Sequence, residues 1–350
     1  MEGGREPVKR VRVGLLGCGR VAQSVHLPLL TQLPAAELVA LAEVDPGRRA
    51  AAQRLAPAAR AFADYHDLLD LAELDAVVVC LPSALHASAA QATLGRGLPL
   101  YLEKPLATRL EDGARVVEAW RRAQAPAMIG FNLRFNPLYR EARRLLARER
   151  LGPLVCARSV FASTAARSRA PAEGGVLLDL GSHHVDLARW LLGREVAAVS
   201  AEGTDASAVL QMRLSDGTLA QTFVSNAAVE EDRFEVYGRG GKLTVDRYLA
   251  LAVELSAPTR ARARLRRVLH TARALTRAPY LLAKLRAPAN EPSYPAALAH
   301  FLAAVRARHP AAPDLWDGLR SLAVIDAAET SARLGRAVEV SPLAPTPLGA

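Results

Sequence analysis

From Val11 to Ile129 short apolar runs rich in β-branched residues alternate with stretches of helical periodicity. The runs Val11–Leu16, Leu38–Ala42, Ala59–Ala63, Ala76–Cys80, Pro99–Leu102 and Ala127–Ile129 read as strands, the all-apolar ones buried on both faces. Helices are predicted over Val21–Leu33, Arg48–Leu55, one turn around Asp67, a Ser83-capped stretch to Leu94, and Leu110–Gln124. Such alternation predicts an α/β fold with a doubly wound parallel sheet.

The grammar then changes. After a basic helix, Pro137 to Arg150, period-two runs predict strands at Val155–Phe161, Val196–Glu202, Ala208–Leu214, Leu219–Ser225, Phe234–Tyr237 and Lys242–Val245. Ser215-Asp216-Gly217 and Gly240-Gly241 are hairpin signals. One helix, Gly175–Leu192, interrupts these strands, and three more close the chain: Ala261–Leu285 with a kink at Pro279, Ser293–Arg308, and Asp314–Leu334. The expectation is two domains, 1–130 and 131–350. The second is α+β, its mostly antiparallel sheet covered by helices on one face and open to a partner subunit on the other.

The first strand breaks into Gly17-Cys18-Gly19-Arg20-Val21-Ala22, the G-x-G-x-x-A spacing of a dinucleotide-binding turn. Gly17 permits the sharp turn, Gly19 lets a pyrophosphate approach bare backbone, and Ala22 keeps helix and strand close. Glu43 ends the second strand about twenty residues on. It is placed to accept from an adenosine ribose, and its charge repels a 2′-phosphate. NAD is favoured, while Arg48 and Arg49 keep NADP open.

Charge changes this picture little. The net charge is +10, but nine Lys or Arg residues and no acid fall between Leu255 and Asn290, and the rest is close to +1. No aromatic-studded basic groove argues for nucleic acid. The basic amphipathic stretch 262–285 packs its apolar stripe or lies on an anionic membrane surface, the former being favoured. The three cysteines, Cys18, Cys80 and Cys156, are far apart in sequence. They suggest a reducing compartment; with no apolar leader or spanning run, the expected location is cytoplasmic.

Three clusters carry candidate chemistry. Lys104, in Glu103-Lys104-Pro105, follows a buried strand at the edge where doubly wound sheets bind ligands; it serves proton transfer or pairs with Glu103 in solvent. Asp179 and His183 are four apart on a helix and share a face, so the carboxylate fixes the tautomer of a base, or else Asp179 merely caps. Asn132 and Arg134, at the domain junction, bind substrate hydroxyls or an anion, or form linker. The Asp179/His183/His184/Asp186 run suits no metal, because helical spacing disperses its ligands.

Together with His26-Leu27-Pro28, Pro82…His86 and Gly174-Gly175…Asp186, these motifs resemble the glucose-fructose oxidoreductase/inositol dehydrogenase/rhizopine-catabolism (Gfo/Idh/MocA) family over nearly the whole chain. The resemblance implies a Rossmann domain, a large open-faced sheet, and homodimers or homotetramers. It further implies an NAD(P)-dependent oxidoreductase acting on the hydroxyl or ketone of a sugar, nucleotide-sugar or cyclitol. Lys104, Asp179 and His183 would be catalytic, with Asn132 and Arg134 lining the substrate cleft. The loop Gly17–Ala22, with Glu43, Leu81, Pro82, His86, Glu103 and Lys104, would hold the cofactor. Leu81 departs from the small polar residue often found there. Alternatives on the same fold are NAD-assisted glycoside cleavage and a non-catalytic dinucleotide-binding regulator.

Overall fold

A computed structural model describes residues 10–164, 175–256 and 278–343. Strands β1 (Val11–Leu16), β2 (Ala36–Ala42), β3 (Arg60–Phe62), β4 (Ala76–Val79), β5 (Leu100–Leu102) and β6 (Ala127–Ile129) form one parallel sheet. Their order is β3-β2-β1-β4-β5-β6. The direction of winding reverses between β1 and β4, and a crevice opens beyond the carboxyl ends of those strands. Val13, Leu15, Val77, Val78 and Val79 are fully buried, as runs apolar on both faces require.

Helices α1 (Leu27–Gln32), α2 (Pro46–Leu55), α3 (Tyr65–Leu69), α4 (His86–Gly95) and α5 (Leu110–Ala123) link these strands. Two depart from expectation. The first helix is entered through a π-helical turn, Ala22–His26, and is not regular from Val21. Ser83 opens a separate 3₁₀ turn, Ser83–Leu85, so Leu85 rather than Ser83 occupies the cap position of α4.

The chain then crosses by α6 (Pro137–Ala147) into a second sheet, whose face is covered by α7 (Ser182–Leu192). Its strands are β7 (Leu154–Ala162), β8 (Val196–Gly203), β9 (Ser207–Leu214), β10 (Leu219–Ser225), β11 (Glu231–Gly238), β12 (Gly241–Asp246), β13 (Glu254–Ser256) and β14 (Val338–Glu339). The order is β13-β12-β11-β7-β10-β9-β8-β14, with β7 and β10 parallel and the other ladders antiparallel. The edge strands β13 and β14 are additions to the expectation; runs of three and two residues hold too little periodicity to read. On the uncovered face Leu219 and Arg158 are exposed, while Ala157 and Ala220 are buried opposite them.

Helices α8 (Ala278–Arg286), α9 (Ser293–Ala307) and α10 (Leu315–Leu334) complete the described chain. Most of the expected basic helix lies outside the described residues, with only its end present as α8. The α9 residues Ala297, Leu298, Phe301 and Leu302 return to the core of the parallel sheet. Helix α10 serves both cores. Leu315 and Leu319 pack with the parallel sheet, and Leu322, Val324 and Ile325 with the second. This shared helix fixes the junction at which the candidate residues meet.

Candidate active site

At the end of β1, Gly17 adopts φ +85°, and an added Cβ would stand 2.7 Å from the Cys80 carbonyl oxygen. Only glycine fits both the left-handed turn and that close approach. Gly19 is different: a Cβ there meets nothing within 4 Å. Its surroundings are open. Ala22 is fully buried between helix and strand.

A cleft of about 720 Å³ runs from this turn past Arg20, Val21, Glu43, Arg48 and Tyr65 to Leu81 and Pro82. Glu43 is almost buried and accepts from Cys18 N (2.9 Å), Asp45 N (3.0 Å) and Arg48 Nη2 (2.9 Å). Burial alone would raise its carboxyl, but Arg48 and the two backbone amides hold it below the usual range. Burial pushes the Cys18 thiol up to about 12, so at neutral pH it is an inert packing group.

Lys104 stands just past β5, beyond the same edge of the sheet. Its Nζ donates to Asp179 Oδ1 at 2.6 Å and to the Asp179 carbonyl at 2.8 Å. Both side chains are mostly covered, at 15% and 21% exposure, but retain a path to solvent. His183 lies edge-on to Phe131 and Phe161, with ring centroids 6.5 and 5.8 Å away. Burial first, and then the Lys104 charge, push its pKa well below the usual imidazole value. His183 is therefore a neutral base beside a cation–carboxylate pair.

The expected Asp179–His183 dyad needs correction in detail. A π-helical turn, Leu177–Gly181, replaces regular helix and shifts the four-residue register between them. Asp179 Oδ1 accepts from Lys104, and His183 Nδ1 has no hydrogen-bond partner among the described residues.

Arg134 and Asn132 are also used differently from expectation. Arg134 forms a two-pronged pair with Asp186 (2.8 and 2.6 Å) and bonds Asp317 Oδ2 at 3.0 Å. Asn132 donates to Ser293 Oγ at 2.8 Å. These groups bolt the domain junction to α7, α9 and α10, as the linker alternative has it. Removing either acid from a nearly buried guanidinium would cost more than a ligand hydroxyl returns.

His86, expected against the cofactor, is 2% exposed; its Nδ1 lies 2.6 Å from the Pro105 carbonyl and Nε2 2.9 Å from that of Leu81. It ties the loops after β4 and β5 together. The Glu103 side chain likewise turns inward, to His26 Nε2 at 2.8 Å. Among the described residues no group of His, Cys, Asp or Glu converges as metal ligands, and no helix is long and apolar enough to cross a membrane.

Sequence reasoning missed the wall behind His183. His184 is fully buried, stacked on Phe161 at 5.1 Å, with Nε2 3.4 Å from Asp232. Tyr139 and Arg247 also bond Asp232, and Arg247 reaches on to Glu291. The signal was slight: Asp232 and Arg247 fall just outside the expected strands Phe234–Tyr237 and Lys242–Val245, and Glu291 lies in the connection before Ser293.

Comparison with known proteins places the chain in a family. The model of the GFO/IDH/MocA oxidoreductase family, NAD-binding Rossmann fold, matches residues 11–131, and that of its C-terminal domain residues 139–244. Inositol 2-dehydrogenase 2 of Saccharopolyspora erythraea is 36% identical over 192 residues, a match covering 55% of this chain and only 56% of that protein. Inositol 2-dehydrogenase of Rhizobium meliloti is 28% identical over 95% of this chain and 99% of its own. The WlbA dehydrogenase of Bordetella pertussis, solved with NADH and UDP-GlcNAcA, superposes with a TM-score of 0.78 at 26% identity, covering 96% of this chain and all of that one. The chain belongs to the GFO/IDH/MocA family and is an NAD-dependent oxidoreductase.

Proposed function

We propose that this chain oxidises a secondary hydroxyl of a cyclitol or related sugar, with Lys104, Asp179 and His183 around the reacting carbon. The observation that carries the reading is the Lys104–Asp179 pair at 2.6 Å beside a neutral imidazole, at the strand ends that border the dinucleotide cleft. The relatives named inositol 2-dehydrogenase in Saccharopolyspora and Rhizobium support a cyclitol.

The residues lining the cleft fit a dinucleotide: space at Gly19 for a pyrophosphate, and a carboxylate at the ribose end. When bound, NAD supplies the hydride acceptor. The protein's own groups supply the rest. His183, uncharged at neutral pH, takes the hydroxyl proton; Lys104 Nζ holds the oxygen and offsets its growing negative charge. Asp179 keeps the ammonium on that line. Phe131 and Phe161 exclude water from one side of the imidazole.

Purified protein with NAD and a panel of inositols, sugars and nucleotide-sugars is expected to give substrate-dependent NADH absorbance, largest with an inositol. No reduction anywhere in the panel, with NAD binding retained, overturns the reading in favour of a bound-cofactor cleavage enzyme. Gly19→Val isolates the cofactor step. Open space at Gly19 predicts a stability change within about 0.5 kcal/mol, while the added side chain fills the phosphate approach and raises the NAD Kd at least about tenfold. Calorimetric titration giving an unchanged Kd would remove Gly19 from the site.

The enzyme on this reading acts in the cytoplasm as a homodimer or homotetramer through the uncovered face of the second sheet, where Leu219 is exposed. Sedimentation of wild type and Leu219→Glu checks the contact: dissociation supports it, and unchanged mass removes it.

A further inference from the structure

We propose that the outward face of α8 docks the protein on an anionic lipid surface. The inference is independent of the chemistry assigned to the active site.

The leucines of α8 do not pack inward. Leu281, Leu282 and Leu285 are 41%, 49% and 65% exposed. At about 100° per residue they share an arc of roughly 100° on the helix. Tyr280 falls outside that arc and is buried in the core of the second sheet. Lys284 Nζ donates to the carbonyls of Arg247 (3.0 Å) and Tyr248 (2.8 Å), which pins the helix to the turn after β12. That turn carries another exposed leucine, Leu249, at 85%. The helix is therefore anchored through one side while three leucines stand in solvent on the other. Burial of apolar surface disfavours this arrangement unless something covers them.

Charge decides what the cover is. Arg286 is exposed at the end of α8, and from Leu255 to Asn290 the sequence holds nine Lys or Arg residues and no acid. A second copy docked face to face would set this basic stretch against itself. A nucleic acid would answer the charge but has no use for leucines. A bilayer with anionic headgroups answers both: the leucines enter the boundary between headgroups and acyl chains, and the basic side chains meet the phosphates. The nine residues of α8 are too few to span a bilayer, so the helix lies in the plane of the surface.

Sedimentation of the whole chain with phosphatidylcholine vesicles, with and without phosphatidylglycerol, tests this. Wild type should pellet with the mixed vesicles and not with phosphatidylcholine alone, and raising salt from about 0.1 to about 1 M should release it. Leu281→Gln/Leu285→Gln leaves the charge untouched. It should weaken vesicle binding at least about tenfold, with an unchanged Tm because both side chains stand in solvent. Leu282→Trp should show a blue-shifted emission on the mixed vesicles relative to wild type. Absence of binding, equal binding to both vesicles, or full binding by the double variant overturns the proposal. So does a lipid-free oligomer of wild type that the double variant dissociates, which would give the leucines to a second copy.

Discussion

Lys104→Met is expected to lower kcat by about 10³-fold without unfolding the protein. The side chain is 15% exposed, and its ion pair with a partly wet carboxylate adds little to stability, about 1 kcal/mol. Its charge acts where an oxygen gains negative charge, so its loss weighs on the chemical step. A second consequence concerns pH. His183 is held well below the ordinary imidazole value, first by burial and then by Lys104. Protonation removes the base, so wild-type activity should fall only as pH drops well below about 6.5. Removing the nearby cation eases protonation of His183, and the acid limb of residual activity in Lys104→Met should move to higher pH. Steady-state rates across pH, with thermal melts of both proteins, decide it. A kcat within about tenfold of wild type, or an unmoved acid limb, would take Lys104 out of the chemistry.

The turn after β1 was legible because its requirements are local: Gly17 for positive φ and close approach, Ala22 for close packing. The main strands of both sheets followed from apolar runs and period-two alternation for the same reason, whereas their order in each sheet did not. What failed to read was what distant residues do to one another. Arg134 looked like a substrate ligand until Asp186 and Asp317 claimed it from 52 and 183 positions away. The Asp179–His183 spacing was read as regular helix, and a π turn has no signature in periodicity over five residues. Arg48 was visible as a nearby cation, but its bond to Glu43 depends on how α2 leaves its Asp45 cap. Candidate residues were recognisable by type and place, whereas their partners had to be seen.

Asp232→Ala is expected to cost about 3–5 kcal/mol of stability and roughly 6–10 °C in Tm, although nothing in its sequence context marks it. Asp232 is fully buried and accepts from Tyr139 Oη at 2.7 Å and Arg247 Nε at 2.6 Å. Its loss strands much of a buried guanidinium charge, which Glu291 alone must then answer. Burial would raise the Asp232 carboxyl, but Arg247, His184 and Tyr139 together hold it below the usual carboxylate range. A depressed folded-state pKa stabilises fully above the unfolded value, near 3.9, and that contribution is lost as pH falls through the folded value. The gap in Tm between wild type and variant should therefore be constant at neutral pH and close only in acid below about pH 4. Asp232→Asn keeps an acceptor for Tyr139 and should lose less. The damage reaches the site as well, because the Arg247 guanidinium lies 5.7 Å over Phe161, whose ring backs His183 and stacks on His184. A loosened wall admits water beside the base, so kcat should fall at temperatures where Asp232→Ala is still folded. Melting curves across pH, paired with rates below the transition, test both parts. A loss under about 1 kcal/mol would mean that Glu291 suffices for Arg247 and that the buried network is not what holds the wall behind the imidazole.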